Sequence, residues 1–270
     1  MPYGYSSYLK EQGYKDTTID EHVRQLEYFF IFLDGLYKRQ KELYEIVPGD
    51  IKQYIKYKKS RDLKISTINK IIAIIRRFFD YAWTIDKVAV DPAQKIRYEA
   101  ITKEDNEPVD YRTLLELKQT VNQDIETPMK RKIIFMLAMA GLRPDEFNIT
   151  WNEVIIDKQL IRLFINKTGH ERVINISGTD AEVFRQFSEN QQSLYVLNSK
   201  SRDGLEKPLE RMTISLNLRK ISEKSNLETL TTNSIRRAYG DYLLETETYE
   251  SAAEMLGIDK LSLMKLLSSS

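Results

Sequence analysis

The sequence predicts a mainly α-helical protein with one small antiparallel β meander, divided into two domains. Three observations carry that prediction. Apolar residues recur at three- and four-residue spacing through most of the chain, as helices with one buried face require. Between residues 154 and 176 this spacing gives way to short runs rich in β-branched residues, separated by turn-forming residues, and then returns. A polar stretch, Lys103 to Pro108, follows Asp91-Pro92 and separates a front part from a rear part. The domains read as residues 1–100 and 108–270, joined by a linker over 101–107.

In the front part, residues 17–33 place Ile19, Val23, Leu26, Phe30 and Leu33 on one stripe. Thr17 and Thr18 are cap candidates, and Asp20 and Glu21 lie in the first turn, where carboxylates complement the helix dipole. Val47-Pro48-Gly49-Asp50 breaks the chain, and Ile51, Tyr54, Ile55 and Lys58 continue as a second helix whose polar face is mostly lysine. A third helix begins near Ser66 and Thr67 and runs through Ile68, Ile71, Ile72, Ile75, Phe78, Phe79 and Ala82. These three helices are expected to form a small bundle.

In the rear part, Tyr111 to Val121 and Thr127 to Ala140 read as helices, the second capped by Thr127 with Pro128 at its first position and Gly141 as its left-handed stop. The β meander comprises Val154-Ile155-Ile156, Leu160 to Ile165 and Arg172 to Ile176, with turns at 157–159 and 167–169. Helices follow over roughly 178–192, 210–223, 231–245, 248–256 and 259–267, with Gly257 ending the penultimate one.

Composition narrows the function. The 41% hydrophobic and 30% charged content is that of a soluble globular protein. Cysteine is absent, which removes disulfide and thiol chemistry, and with His22 and His170 as the only histidines no metal site and no cofactor are expected. No apolar run approaches the ~20 residues that span a bilayer, and the first residues lack a leader pattern, so a cytoplasmic protein is expected, with no membrane partner. Net charge is only +1, but it is uneven: residues 1–100 hold 18 Lys and Arg against 14 Asp and Glu. Residues 52–77 concentrate it, with Lys52, Lys56, Lys58, Lys59, Arg61, Lys64, Lys70, Arg76 and Arg77 against Asp62 alone, the electrostatic footprint of a nucleic-acid surface.

The stretch on which the rear part turns is Ala140-Gly141-Leu142-Arg143-Pro144-Asp145-Glu146, read as the break between two helices. A guanidinium held at a helix N-terminus, oriented by Glu146 one turn on, suits bidentate binding of a phosphate. Taken alone, the same residues also fit a helix connection carrying a surface ion pair.

The whole pattern resembles the tyrosine recombinases, or phage integrases, over nearly the full chain. The front part is similar to their helical, SAM-like core-binding domain in Val47-Pro48-Gly49-Asp50-Ile51, Ser66-Thr67-Ile68-Asn69, Arg77-Phe78-Phe79-Asp80-Tyr81-Ala82 and Asp91-Pro92. Gly141-Leu142-Arg143-Pro144-Asp145-Glu146 resembles the Gly-Leu-Arg-x-x-Glu box that carries the first active-site arginine, and Asn166-Lys167-Thr168-Gly169 the turn bearing the catalytic lysine. Asn233-Ser234-Ile235-Arg236 aligns with His-x-x-Arg: the arginine is kept and the histidine is Asn233. Leu256-Gly257-Ile258 stands where the family has Leu-Gly-His or Leu-Gly-Trp, and the position of the tyrosine nucleophile falls on Leu267.

The resemblance therefore implies that the phosphate-binding cations Arg143, Lys167 and Arg236 remain while the nucleophile and the histidine-type groups are gone, leaving no catalytic residue. The expected partner is double-stranded DNA, gripped at Arg143, Lys167 and Arg236 and along Lys52, Lys56, Lys59, Lys64, Lys70, Arg76 and Arg77. The expected function is that of a non-cleaving, sequence-specific and nucleoid-associated regulator, such as a lysogeny repressor of a phage or mobile element, monomeric or weakly self-associating on DNA. The alternative is an active recombinase using a displaced tyrosine or one supplied in trans; Tyr239, Tyr242 and Tyr249 are the nearby tyrosines, and His170 a replacement acid.

Overall fold

The computed structural model describes residues 2–100, 109–158, 160–167, 169–189, 193–200 and 204–268. Residues 101–107, read as the linker, lie outside the described residues, as do the turn residues Gln159 and Thr168. The chain divides into two compact units, Met1–Glu104 and Asp105–Ser270. No helix among the described residues is long and apolar enough to cross a membrane.

Among its described residues the first unit has four α-helices where three are expected: α1 (Tyr5–Glu11), α2 (Asp16–Tyr37), α3 (Pro48–Lys59) and α4 (Ile65–Thr84). The additional helix α1 is too short for a periodic signal, yet Tyr5 and Leu9 are fully buried. Its arrival shifts the buried stripe of α2. The core-facing residues are Ile19, His22, Leu26, Phe29 and Leu33, whereas Val23 and Phe30 are only partly buried. A histidine is tolerated there because its Nδ1 pairs with the Tyr5 hydroxyl at 3.0 Å, satisfying both buried groups. The cap candidates Thr17 and Thr18 are not used as caps. Helix α2 starts one residue earlier, at Asp16, and α4 starts at Ile65, where the Lys64 carbonyl accepts the first amides from Thr67 and Ile68. Helix α3 is held at its start by Asp50, whose buried carboxylate accepts from the Val47 amide at 3.0 Å, from Lys41 Nζ at 2.8 Å and from the Tyr37 hydroxyl.

The second unit is organised around α6 (Met129–Met139), in which every residue from Lys132 to Met139 is buried. It packs with α5 (Tyr111–Gln123) and with the helices that follow the sheet. Pro128 occupies its N-cap rather than its first turn, and Thr127 donates to Asp124 instead of capping. The meander forms as expected: β1 (Val154–Ile156), β2 (Leu160–Ile165) and β3 (Arg172–Ser177) are antiparallel in that order, with Ile161 opposite Ile176 and Leu163 opposite Ile174. Alternation buries Ile161, Leu163 and Ile165 on one face of β2. Then come α7 (Gly178–Ser188), an unanticipated hairpin of β4 (Asn198–Lys200) and β5 (Glu206–Pro208), α8 (Arg211–Lys224), α9 (Thr232–Leu243), α10 (Tyr249–Leu256) and α11 (Lys260–Ser268). Those two strands are short and polar, so they leave no alternation to read.

Helices α9, α10 and α11 share a satellite core of Leu243, Ala252, Ala253, Leu256 and Leu263. Gly141 links that core to α6. Its φ is +80°, and a Cβ there would stand 2.9 Å from Leu256 Cδ2 and 3.1 Å from the Tyr239 ring. Both the backbone strain and the crowding oppose a side chain, so Gly141→Ala is expected to destabilise the protein by more than about 1 kcal/mol, read as a lowered urea midpoint.

Candidate nucleic-acid interface

The loop that leaves α6 makes one turn of 3₁₀ helix, Pro144–Glu146, and not the start of a regular helix as expected; the run to Thr150 is irregular because the chain must reach β1. That single turn suffices to place Arg143 and Glu146. The Glu146 carboxylate is buried and accepts from the Arg143 amide at 2.8 Å and from Arg143 Nη2 at 2.7 Å. It also receives both terminal nitrogens of Arg172, each at 2.9 Å. Burial pushes this carboxyl's pKa upward, but the hydrogen bonds from Arg172 and Arg143 outweigh it and hold it at about 2.

Arg172 was not singled out in the sequence. It opens β3, and its guanidinium occupies the space a side chain at Gly257 would need: a Cβ there would lie 2.2 Å from Arg172 Nη1. Gly257, at φ +61°, thus both ends α10 and makes room for this arginine. The pairing of a glycine in α10 with the strand is a tertiary contact, and only Glu146 in the local motif hinted that a second cation was required.

Arg236, on α9, is 4% exposed. Its Nη2 donates to the Leu256 carbonyl at 3.1 Å, while Nη1 is buried without a hydrogen-bond partner among the described residues. Burial draws its pKa down to about 10, and the charges that act on it are Glu146, Arg143, Arg172 and Asp145. It therefore remains protonated at neutral pH. Two guanidiniums bond one carboxylate, a third lies within its electrostatic reach, and a buried N–H of that third remains without an acceptor. An oxyanion such as a phosphodiester would supply both the missing charge and the missing acceptor. Lys167 stands beside this cluster in an ion pair with Asp145, a carboxyl that also feels Arg143. Arg143, Lys167 and Arg236 are thus brought to one neighbourhood.

The other positions are placed as follows. Asn233 is exposed and Ile258 partly buried. Leu267 packs in the satellite core, its Cδ2 lying 3.2 Å from where a Cβ would stand on Gly240. Tyr239 and Tyr242 lie against Tyr111, with ring centroids 4.9 and 5.0 Å away, whereas Tyr249 is exposed. His170 is partly buried in the β2–β3 connection, where its amide donates to the Lys167 carbonyl at 2.7 Å.

In the first unit, Lys52, Lys56 and Lys64 are exposed and have no carboxylate partner among the described residues. Lys59 pairs with Glu99 at 2.5 Å and Lys70 with Glu21 at 3.5 Å. Arg76 and Arg77 lie over the rings of Tyr98 and Tyr14.

The depressed value of Glu146 makes a pH prediction. A carboxyl whose pKa falls from 4.5 to about 2 on folding contributes stability that is complete above pH 4.5 and disappears as pH falls toward 2. The difference corresponds to about 3 kcal/mol. Glu146→Gln is therefore expected to lower the urea midpoint markedly at pH 7, with Arg143 and Arg172 left unpaired, and the gap to the parent protein should narrow between pH 4.5 and 2.

Comparison with known proteins places this geometry. Residues 108–264 match the phage integrase family, and residues 3–84 match the phage integrase N-terminal SAM-like domain. The tyrosine recombinase XerC of Leptospira interrogans is 26% identical over 176 residues, 62% of this chain and 55% of that protein's length. XerD of Shewanella oneidensis is 21% identical over 244 residues, covering 86% of this chain and 79% of that protein. Among solved structures, a lambda integrase dimer bound to a core site superposes with a TM-score of 0.71 at 15% identity, covering 98% of this chain and 93% of that one. The Tn1549 transposon integrase bound to circular-intermediate DNA gives 0.73 at 14% identity, with coverage of 98% and 94%. The helical first unit, the Arg143–Glu146 box and the arginine of α9 are thus features of a chain that belongs to the phage integrase family.

Proposed function

We propose that this protein binds double-stranded DNA and does not cleave it, acting as a transcriptional regulator of a phage or mobile element, in the manner of a lysogeny repressor. The observation that carries the reading is the contrast between cations and reacting groups. Arg143, Arg172 and Arg236 converge with a buried donor unsatisfied, while Leu267, at the position that resembles the nucleophile's, is packed among leucines. Strand cleavage by this family's chemistry requires a tyrosine oxygen to attack phosphorus and displace the 5′ oxygen, with a proton supplied to the leaving group. Leucine has no atom for the first step. Asn233 and Ile258 replace groups that serve the proton transfers, a lesser loss of roughly 10²–10⁴ in rate. Phosphate binding needs none of these groups.

The relatives' names favour the second reading, an active recombinase whose tyrosine comes from elsewhere, with exposed Tyr249 as the accessible residue in this part of the chain. One experiment separates the two. Genomic fragments that the protein retains would be isolated, rebuilt as nicked suicide duplexes and incubated with excess protein. Salt-sensitive binding with no covalent adduct is expected, and Arg236→Ala, checked for folding by circular dichroism, should weaken binding to all duplexes by a similar factor. An adduct mapped by protease digestion to Tyr239, Tyr242 or Tyr249 would establish the recombinase instead.

A further inference from the structure

All but one of the cation–ring pairs among the described residues lie in the first unit. Three of them involve arginines of the basic segment. The guanidinium carbon of Arg61 lies 5.3 Å from the Tyr57 ring centroid, that of Arg76 5.4 Å from Tyr98, and that of Arg77 5.2 Å from Tyr14. None of the three guanidiniums makes an ion pair or a hydrogen bond among the described residues, although Arg76 lies close enough to Asp91 to act on its charge.

The rings themselves are fixed. Tyr57 stacks on Phe32 at 5.0 Å, and Phe32 lies 5.2 Å from buried Tyr54. Tyr14 meets His22 edge-on at 5.9 Å, and His22 is bonded to buried Tyr5. Tyr98 is held through its neighbour: Asn69 on α4 donates to the Glu99 carbonyl at 2.9 Å and accepts from the Glu99 amide at 2.8 Å. Arg61 and Arg77 thus rest on rings anchored to the helical core, and Arg76 on a ring whose neighbouring residue is tied to α4.

The consequence follows from where an arginine's donors lie. A carboxylate partner engages the in-plane N–H groups and cancels the charge, as Glu146 does for Arg143. A ring beneath the guanidinium attracts it through its face and leaves those in-plane donors and the full charge available. We infer that Tyr14, Tyr57 and Tyr98 are positioning residues for DNA binding, each holding an arginine ready to donate to backbone phosphates. This rests on the DNA-binding reading above and specifies how the first unit takes part in it.

The test compares a triple Tyr→Leu variant (Tyr14, Tyr57 and Tyr98) with the corresponding triple Tyr→Phe variant, using fluorescence anisotropy on a labelled mixed-sequence duplex across a salt series. Circular dichroism and urea midpoints check that both are folded. Phenylalanine keeps the ring face and loses only the hydroxyl, so the Phe variant should bind within about twofold of the parent. The Leu variant should bind about ten- to a hundredfold more weakly, from roughly two- to fivefold per ring. Its log–log salt slope should remain that of the parent, because every cation is still present. An unchanged affinity in the Leu variant, or equal losses in both variants, would overturn the inference while leaving DNA binding intact. Absence of salt-sensitive binding by the parent protein would overturn the DNA-binding reading, and this inference with it. Should the Leu variant unfold, the single Tyr98→Leu and Tyr98→Phe pair decides the same question, since Tyr98 is 52% exposed and outside the core.

Discussion

The buried carboxylate of Glu146 is the point on which the candidate site depends. It receives five hydrogen bonds from the backbone of Arg143, the side chain of Arg143 and the fork of Arg172. An ionised acid in that location is tolerable only because so many donors meet it, and two guanidiniums can stand together there only because the acid lies between them. Arg236 adds a third positive charge with one donor unmet. The carboxylate sets the geometry of an anion site while neutralising only part of its charge.

The two units handle positive charge by different means. Around Glu146 in the second unit the arginines are buried or half-buried, so a carboxylate must offset the cost of taking them out of water. In the first unit tyrosine faces lie beneath Arg61, Arg76 and Arg77 without neutralising them. The exposed residues Lys52, Lys56 and Lys64 complete a strongly basic segment whose only acid is Asp62. This contrast leaves the basic segment of the first unit open at the surface, while the arginines of the second are held in place by a buried acid.

Beside Arg172 and Arg236, α9, α10 and α11 meet in apolar packing. Gly240 lets α9 approach α10 and α11 closely, and the leucines at 256, 263 and 267 fill the space above it. Leu267 packs against this cluster, where an apolar side chain is at home. The same closeness sets Gly257 against Arg172, so the helix that ends there also shapes the anion site.

Much of the fold is legible in the sequence because period and punctuation are local properties. Helices α2 to α6, the meander and the order of the later helices follow from apolar spacing and from Pro, Gly and turn residues. The Gly141–Glu146 box announced Arg143 and its acid together, because the two lie within one turn. Helix α1, the β4–β5 hairpin and the true buried stripe of α2 were not legible, since short or polar elements carry no period and a histidine is read as polar until a partner is found for it. Arg172 escaped for the same reason on a larger scale. Its significance comes from Glu146, 26 residues away, and from the room left by Gly257. Local spacing determined which elements form and which residues are candidates to bind phosphate; the meeting of groups distant in the chain, which only tertiary packing brings about, decided that Arg143 and Arg172 share one carboxylate with Arg236 in their field and that the surface arginines rest on rings.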